Sequence, residues 1–384
     1  MFFVYHNPMK AKVLLISHFN YSQSGPIHGP IHTIGSYLER KKTPYIYIGY
    51  PLYVGKKSLI TKFDGKKETT KKFGTSLKPP LPIQSLYQTV NSISHLRNYK
   101  QNLVIAADPL NALAAIIAKK MRYTEKVIYY TVDYTPKRFN NNFLNNTYHQ
   151  IDKFCINNAD IVWNVSNKIV ERRREQGLKD LRNLYVPNAP SFRVGKPLSA
   201  SKVNRFNIMM VTGITHSPAF TMVIDAISEL VEKYSKIKLS LIGAGSYEDE
   251  LKRKVKNSKL KGHVEFLGQL DHEKLLNTLP KGGLGLAIYT TDYSWVNYGD
   301  SMKAREYLLS GLPTIITNVV STGDDIKKYD AGFVVKPNKK AIQNAIAKLM
   351  QNKKVWESKR NNALKLAKDQ DIDKIFDKVL LPLI

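Results

Sequence analysis

The chain has 384 residues, enough for two domains with a core each. Hydrophobic residues make up 43%, and the single cysteine, Cys155, excludes an internal disulfide and any multi-cysteine zinc or iron–sulfur centre. A formal net charge of +28, from 59 Lys and Arg against 31 Asp and Glu, implies attraction to phosphate on nucleic acid or on an anionic membrane, unless lysine is a lineage-wide habit.

No stretch is apolar and long enough to span a bilayer; the nearest, Leu103 to Ala118, carries Asp108 and Pro109 inside. The opening "MFFVYHNPMKAKVLLIS" has no signal-peptide core or cleavage site, and Met9 would serve equally as a start. A cytoplasmic protein is expected.

In chain order, the first half alternates short β-branched or aromatic runs with helical periods. Strands are predicted at 12–17, 45–49, 103–107, 127–132, 161–165 and 184–187. Val54 to Pro80 breaks the alternation. It carries eight lysines against Asp64 and Glu68, has no period, and reads as a long basic loop.

The stretch 188–205, rich in Pro, Ser and Ala, reads as a linker. The alternation then restarts with strands predicted at 206–213, 237–243, 263–268, 284–289, 313–317 and 332–335. Between the first two, Phe220, Val223, Ile227, Leu230 and Val231 mark one apolar helix face. The prediction is an α/β chain with an N-terminal domain over 1–187, a linker over 188–205, a C-terminal domain over 206–352 and C-terminal helices over 353–384.

Glycines at strand–helix junctions let a backbone approach an anion, whose charge the helix amides favour. Gly25 and Gly29 follow the first strand, Gly243 and Gly245 a C-domain strand, and Gly268 the next. A single junction of this kind is as often a plain tight turn. Lys303 and Glu306, in "DSMKAREYLLSGLPTI", are spaced i and i+3 and share a helix face; alone they would read as a surface salt bridge.

The order of these blocks, "VTGI", "LIGAGSYEDELK", "HVEFLGQL", "LGLAIY" and "DSMKAREYLLSGLPTIIT", resembles the nucleotide-sugar-binding domain of GT-B glycosyltransferases and is most similar to glycosyltransferase family 4. The resemblance implies two doubly wound Rossmann-like domains facing a cleft, with the C-terminal helices packing back toward the N-domain. It implies a nucleotide-diphosphate sugar, UDP- or GDP-linked, as donor and no separate cofactor or metal. Glu306 would bind the ribose hydroxyls and Lys303 would meet the diphosphate, with Ser301 and Met302 completing an "S-M-K-x-x-E" block similar to bacterial glucuronosyltransferases. The pattern departs from family 4 at Tyr298, where a first glutamate is usual, with Asp300 the nearest acid, and at "GITHSPAF", where the usual Arg and Lys are missing.

Transfer also needs a base for the acceptor hydroxyl. Asp133, directly after the strand at 127–132, is the leading candidate; Asp108, His18 and His28 are others, each also readable as an ordinary loop or cap residue. The expected activity is a hexosyltransferase acting at the inner face of the cell membrane on a lipid-linked or envelope glycan acceptor. A nucleotide-sugar 2-epimerase on the same fold is the alternative within enzymes. A nucleic-acid binder is the alternative outside them, disfavoured because aromatics are not interleaved with the basic runs.

Overall fold

In a computed structural model, which describes residues 12–22, 25–26, 29–52, 56–74, 81–99, 101–291 and 294–384, the chain divides into two units. The first comprises residues up to Val186 together with Asp373–Ile384, and the second Pro187–Ile372.

The first unit is built on β1 (Val13–Phe19), the two-residue bridge of β2 (Tyr21–Ser22) with β3 (Gly25–Pro26), β4 (Tyr45–Pro51), β5 (Ser58–Phe63), β6 (Glu68–Phe73), β7 (Gln101–Ala107), β8 (Thr124–Thr131), β9 (Ile161–Asn164) and β10 (Asn183–Tyr185). Eight of these form one sheet in the order β10-β9-β8-β7-β1-β4-β5-β6. The strands from β10 to β4 are parallel, and residues such as Val13, Leu14, Leu15 and Ile16 are buried on both faces. That is why they read as unbroken apolar runs.

The predicted basic loop over 54–80 is corrected by the structure. It contains an antiparallel hairpin, β5 paired to β4 and β6 paired to β5, turning at Asp64–Gly65 with Gly65 at φ +99°. β6, with the sequence ETTKKF, is an exposed edge strand, so no apolar alternation marks it, and its Lys71 and Lys72 are the charges that edge strands use against mispairing. Lys78 lies outside the described residues.

The second unit carries β11 (Asn207–Val211), β12 (Lys238–Ile242), β13 (Val264–Phe266), β14 (Leu284–Ala287), β15 (Thr314–Thr317) and β16 (Gly332–Val335) in an all-parallel sheet ordered β13-β12-β11-β14-β15-β16. Its two faces have separate cores. Ile208, Met210, Leu239, Leu241 and Leu284 pack on the side of the helix Pro218–Lys233. Met209, Ile242, Ala287 and Ile316 pack with Tyr307 on the other. The segment from Pro187 to Arg205, periodless in sequence, belongs to this unit and holds only short 3-10 turns.

The C-terminal helices, expected over 353–384 to pack back toward the N-domain, are divided between the two units. The helix Lys353–Asp369 belongs to the second unit, because Trp356, Ala363 and Leu366 are buried in its cores. Residues from Asp373 onward belong to the first. There the Tyr37 hydroxyl donates to Asp377 at 2.6 Å and Phe376 stacks on Trp163.

One buried ion pair ties the helices of the first unit to its sheet. Arg173 is fully buried, and its guanidinium reaches both oxygens of Asp152, at 2.5 and 2.8 Å, and the Thr131 hydroxyl at 3.1 Å. The Tyr129 hydroxyl donates to the same carboxylate at 2.6 Å. Removing one member strands a buried charge. Arg173→Ala is expected to destabilise the first unit by about 3–5 kcal/mol, and the double variant Arg173→Met, Asp152→Asn by clearly less. Urea unfolding followed by tryptophan fluorescence checks both.

Candidate functional site

Parallel strands end together, so the loops after β11, β12 and β13 gather at one edge of the second sheet. Glycine lets them touch. Gly243 has φ +138°, and a Cβ there would stand 2.0 Å from the Thr212 carbonyl oxygen. The Gly243 amide donates to the Gly268 carbonyl at 2.8 Å, and the Ile214 amide to Ala244 at 3.1 Å. Gly245 approaches the Ile214 backbone as closely. These three glycines lace the loops to one another, and the Gly243 amide is occupied within the protein.

The loop after β14 ends in the helix Met302–Leu309. Ser301 caps it, accepting from the Ala304 amide at 3.2 Å, and its hydroxyl meets the Tyr289 hydroxyl at 2.7 Å. Met302 opens the helix, partly exposed. Asp300 is not poised for a ligand. It is buried in a bidentate pair with Arg305, both contacts 2.7 Å, and accepts from the Thr322 hydroxyl and the Asn188 amide. Arg305 reaches Asp325 as well, at 3.0 Å. This network fixes the start of the helix, and with it the direction of the next turn.

On that turn Glu306 is buried, with 5% of its surface exposed. Its Oε1 lies 2.9 Å from Nε2 of His272, whose side chain is largely exposed. The hydrogen bond to Glu306 raises the His272 pKa, with burial opposing it. His272 was not anticipated from sequence. It opens the helix His272–Thr278, a few residues beyond Gly268, and its partner is 34 positions away. Lys303 is half-buried with its Nζ 5.3 Å from the centre of the Tyr289 ring. Burial pushes its pKa down to about 8, the Glu306 charge only partly resisting. A poorly solvated cation and an oriented carboxylate therefore stand one turn apart.

The first unit holds a second constellation. His18 ends β1 and Asp108 follows β7, adjacent strands that pair through Ile16 and Ala106. His18 Nδ1 lies 2.5 Å from Asp108 Oδ2, and its Nε2 lies 3.0 Å from Gln88 Oε1. Asp108 Oδ1 accepts the Leu110 and Asn111 amides, both at 3.1 Å, capping the helix Pro109–Lys120. Asp108 does so at φ +68°, a left-handed conformation that costs a non-glycine residue of order 1 kcal/mol and often marks a functional position. Burial lowers the His18 pKa, but the Asp108 charge and the hydrogen bonds to Asp108 and Gln88 outweigh it, leaving the ring above the usual histidine value.

These side chains line a cavity of about 500 Å³. Asp133 and Gly29 line it too. Asp133 is half exposed and held by Arg138 in a two-pronged ion pair. The Gly29 amide donates to His32 Nδ1 at 3.0 Å, and Gly25 pairs with Ser22 in the short β2–β3 bridge. His28 lies outside the described residues. Among the described residues no cluster of three or more His, Cys, Asp or Glu could hold a metal ion, and no helix is long and apolar enough to cross a membrane.

Residues 198–368 match the family model for glycosyl transferases group 1. No curated protein matches the chain by sequence. Among solved structures it is similar to Anabaena Alr3699/HepE in complex with UDP, at 14% identity and a TM-score of 0.65, covering 97% of this chain and 100% of that one. It is similar to sucrose-phosphate synthase from Thermosynechococcus elongatus at 13% identity and 0.71, covering 97% and 99%. The E. coli trehalose-6-phosphate structure bound with UDP-2-fluoro glucose aligns at 14% identity and 0.68, covering 97% and 98%. The likeness over both units carries the fold, and the family match bears on the second unit: this chain has the GT-B fold, residues 198–368 are similar to glycosyl transferases group 1, and it is a glycosyltransferase.

Proposed function

We propose that the second unit binds a UDP-sugar, that the first unit receives the acceptor, and that His18, held by Asp108, is the base that deprotonates the acceptor hydroxyl. UDP is suggested by the ligands of HepE and of the E. coli neighbour. The observation that carries the reading is the His18–Asp108 pair in the wall of a cavity at the strand ends, built as a base with an orienting carboxylate.

Glu306 accepts the ribose hydroxyls, with His272 fixing one of its oxygens. Lys303 meets the diphosphate, whose charge grows as the leaving group departs. With Nδ1 committed to Asp108, Nε2 of His18 takes the acceptor proton once the acceptor hydroxyl replaces Gln88 Oε1 beside it, an oxygen that can only accept from a protonated Nε2. The acceptor oxygen then attacks the anomeric carbon as the bond to UDP breaks. That is one displacement, and it inverts configuration. Gly243, Gly245 and Gly268 serve the donor by shaping its loops. Ser301 and Met302 set the start of the Lys303 helix. Inversion is the outcome of the glucuronosyltransferases that the "S-M-K-x-x-E" block resembles, so within this reading they are a nearer description than family 4, and Asp133 moves from base to partner of Arg138.

The acceptor side faces a membrane in this proposal, with a lipid-linked or envelope glycan as substrate and the inner face of the cell membrane as location. The +28 charge, the Lys71 and Lys72 edge and the exposed Leu86, Tyr87 and Val90 of the helix Leu81–Tyr99 support it.

Calorimetry with UDP tests the donor half. Glu306→Gln is expected to weaken binding by about 1.5–3 kcal/mol, the scale of charged hydrogen bonds. Lys303 must be protonated to hold a diphosphate. Its proton is lost near pH 8 in the free protein, so affinity is full below that pH and falls as pH rises through it. Flat affinity from pH 7 to 9.5 would remove Lys303 from the diphosphate site.

The base is tested by transfer rates. Asp108→Asn is expected to lower turnover by about 10²-fold or more. It removes the charge that favours the imidazolium, so the acid limb of the pH profile moves to lower pH. Asp133→Asn is expected to stay within a few-fold of the parent, and the reverse ranking would return Asp133 to the base role. Sedimentation with anionic vesicles and not with neutral ones is the outcome expected for membrane action; equal recovery with both would end that part of the reading.

A further inference from the structure

The cavity beside His18 has a wall chemistry that its chain does not share. Phe19, Ile31, Leu52, Leu110, Val132 and Phe139 make up much of its lining. Leu52 and Phe139 are among the exposed large hydrophobics of the chain, at 50% and 37%. The charged side chains present are matched within it: Asp108 with His18, and Asp133 with Arg138. Among the described residues, a protein with net charge +28 thus lines this cavity without an unmatched lysine or arginine. Two polar atoms in the lining have no protein partner, the donor Nε of Arg138 and the acceptor Oε1 of Gln84.

A phosphorylated or carboxylated acceptor needs a surplus of cations or free amides. A polysaccharide chain needs many polar partners along its length. This cavity offers apolar contact, a base and a few polar side chains, of which Ser17, His32, Gln84 and Gln88 are already bonded within the protein. We infer that the group entering it is a neutral hydroxyl compound with an apolar body, on the scale of a fused-ring phenol or the glycerol end of an uncharged lipid. The inference rests on the acceptor role proposed above for this unit, and it sets a lipid or phenolic hydroxyl in place of the glycan named there.

In the step itself the hydroxyl proton passes to His18 Nε2. The oxygen's electron pair forms the bond to the anomeric carbon of the UDP-sugar. The carbon–oxygen bond to the diphosphate breaks, and UDP carries away that electron pair. With His18 neutral, as a base must be, Asp108 holds one negative charge before the step, kept by its hydrogen bonds to His18, Asn111 and the helix amides, and an anionic acceptor would face it, whereas an uncharged one adds no ion to the cavity.

The test uses the full chain and two measurements. In the first, 2-naphthol and glucose 6-phosphate are titrated without donor, naphthol by its own fluorescence and the sugar phosphate by competition. Naphthol is expected to bind at least about tenfold more tightly, and Leu52→Glu or Phe139→Glu to weaken it about tenfold by placing a charge at the apolar rim. Both positions are partly exposed, so folding should survive, and an unchanged urea-unfolding midpoint of the variants verifies it. In the second, UDP-glucose is supplied and products are read by mass spectrometry. Naphthyl glucoside without glycosylated glucose 6-phosphate supports the inference. Equal or tighter binding of the sugar phosphate, preferential transfer to it or to a neutral oligosaccharide, or rim variants that bind naphthol normally would overturn it. Selective naphthol binding with no UDP binding would leave the cavity's ligand class standing and remove the donor reading.

Discussion

One carboxylate organises the first unit's chemistry. Asp108 has two oxygens and two tasks: Oδ1 caps a helix, and Oδ2 holds His18 and the Asn111 amide. Neither works without the other. The cap fixes the carboxylate to a backbone already at φ +68°, and that fixed carboxylate sets the imidazole's orientation. Conformational strain at this residue is offset by four hydrogen bonds and kept in place by the sheet beneath it. The parallel pairing of β1 with β7 brings together two residues 90 positions apart.

The second unit solves a different problem by related means. Its site needs a cation and an anion one helical turn apart, neither neutralising the other in advance. Glu306 is occupied by His272, from another loop, and Lys303 sits half-buried over an aromatic ring. Poor solvation lowers the lysine's pKa, and in the proposed donor role it favours an incoming diphosphate over water. The helix that presents both is anchored by Asp300, Arg305 and Asp325, which are buried and spent on one another. The glycine-laced loops above the sheet leave little freedom for the backbone around them.

Much of this was legible in the residue order. β-branched runs located the parallel strands because such strands are buried on both faces and need no alternation. The i, i+3 spacing of Lys303 and Glu306 placed them on one helix face. The β5–β6 hairpin escaped because its outer strand is polar and exposed, although Asp64–Gly65 is a hairpin turn signal. Asp133 is read as a candidate base because it follows a strand, and Arg138, five residues on, is the cation it pairs with. The His18–Asp108 pair was hidden, since only the order of strands in the sheet makes β1 and β7 neighbours. His272 was hidden for the same reason, its loop and the Glu306 helix meeting only in three dimensions.

The account's central claim is that His18 is a base oriented by Asp108 and not a structural histidine. The direct measurement is single-turnover transfer from saturating UDP-glucose, with UDP-glucose affinity measured in parallel, for the parent and for His18→Gln. Glutamine retains hydrogen-bonding capacity toward Asp108 and cannot take up a proton. Unchanged donor affinity with transfer reduced by about 10²–10⁴-fold, and loss of the acid limb, is the predicted result. Transfer within a few-fold of the parent, with the limb intact, would contradict it.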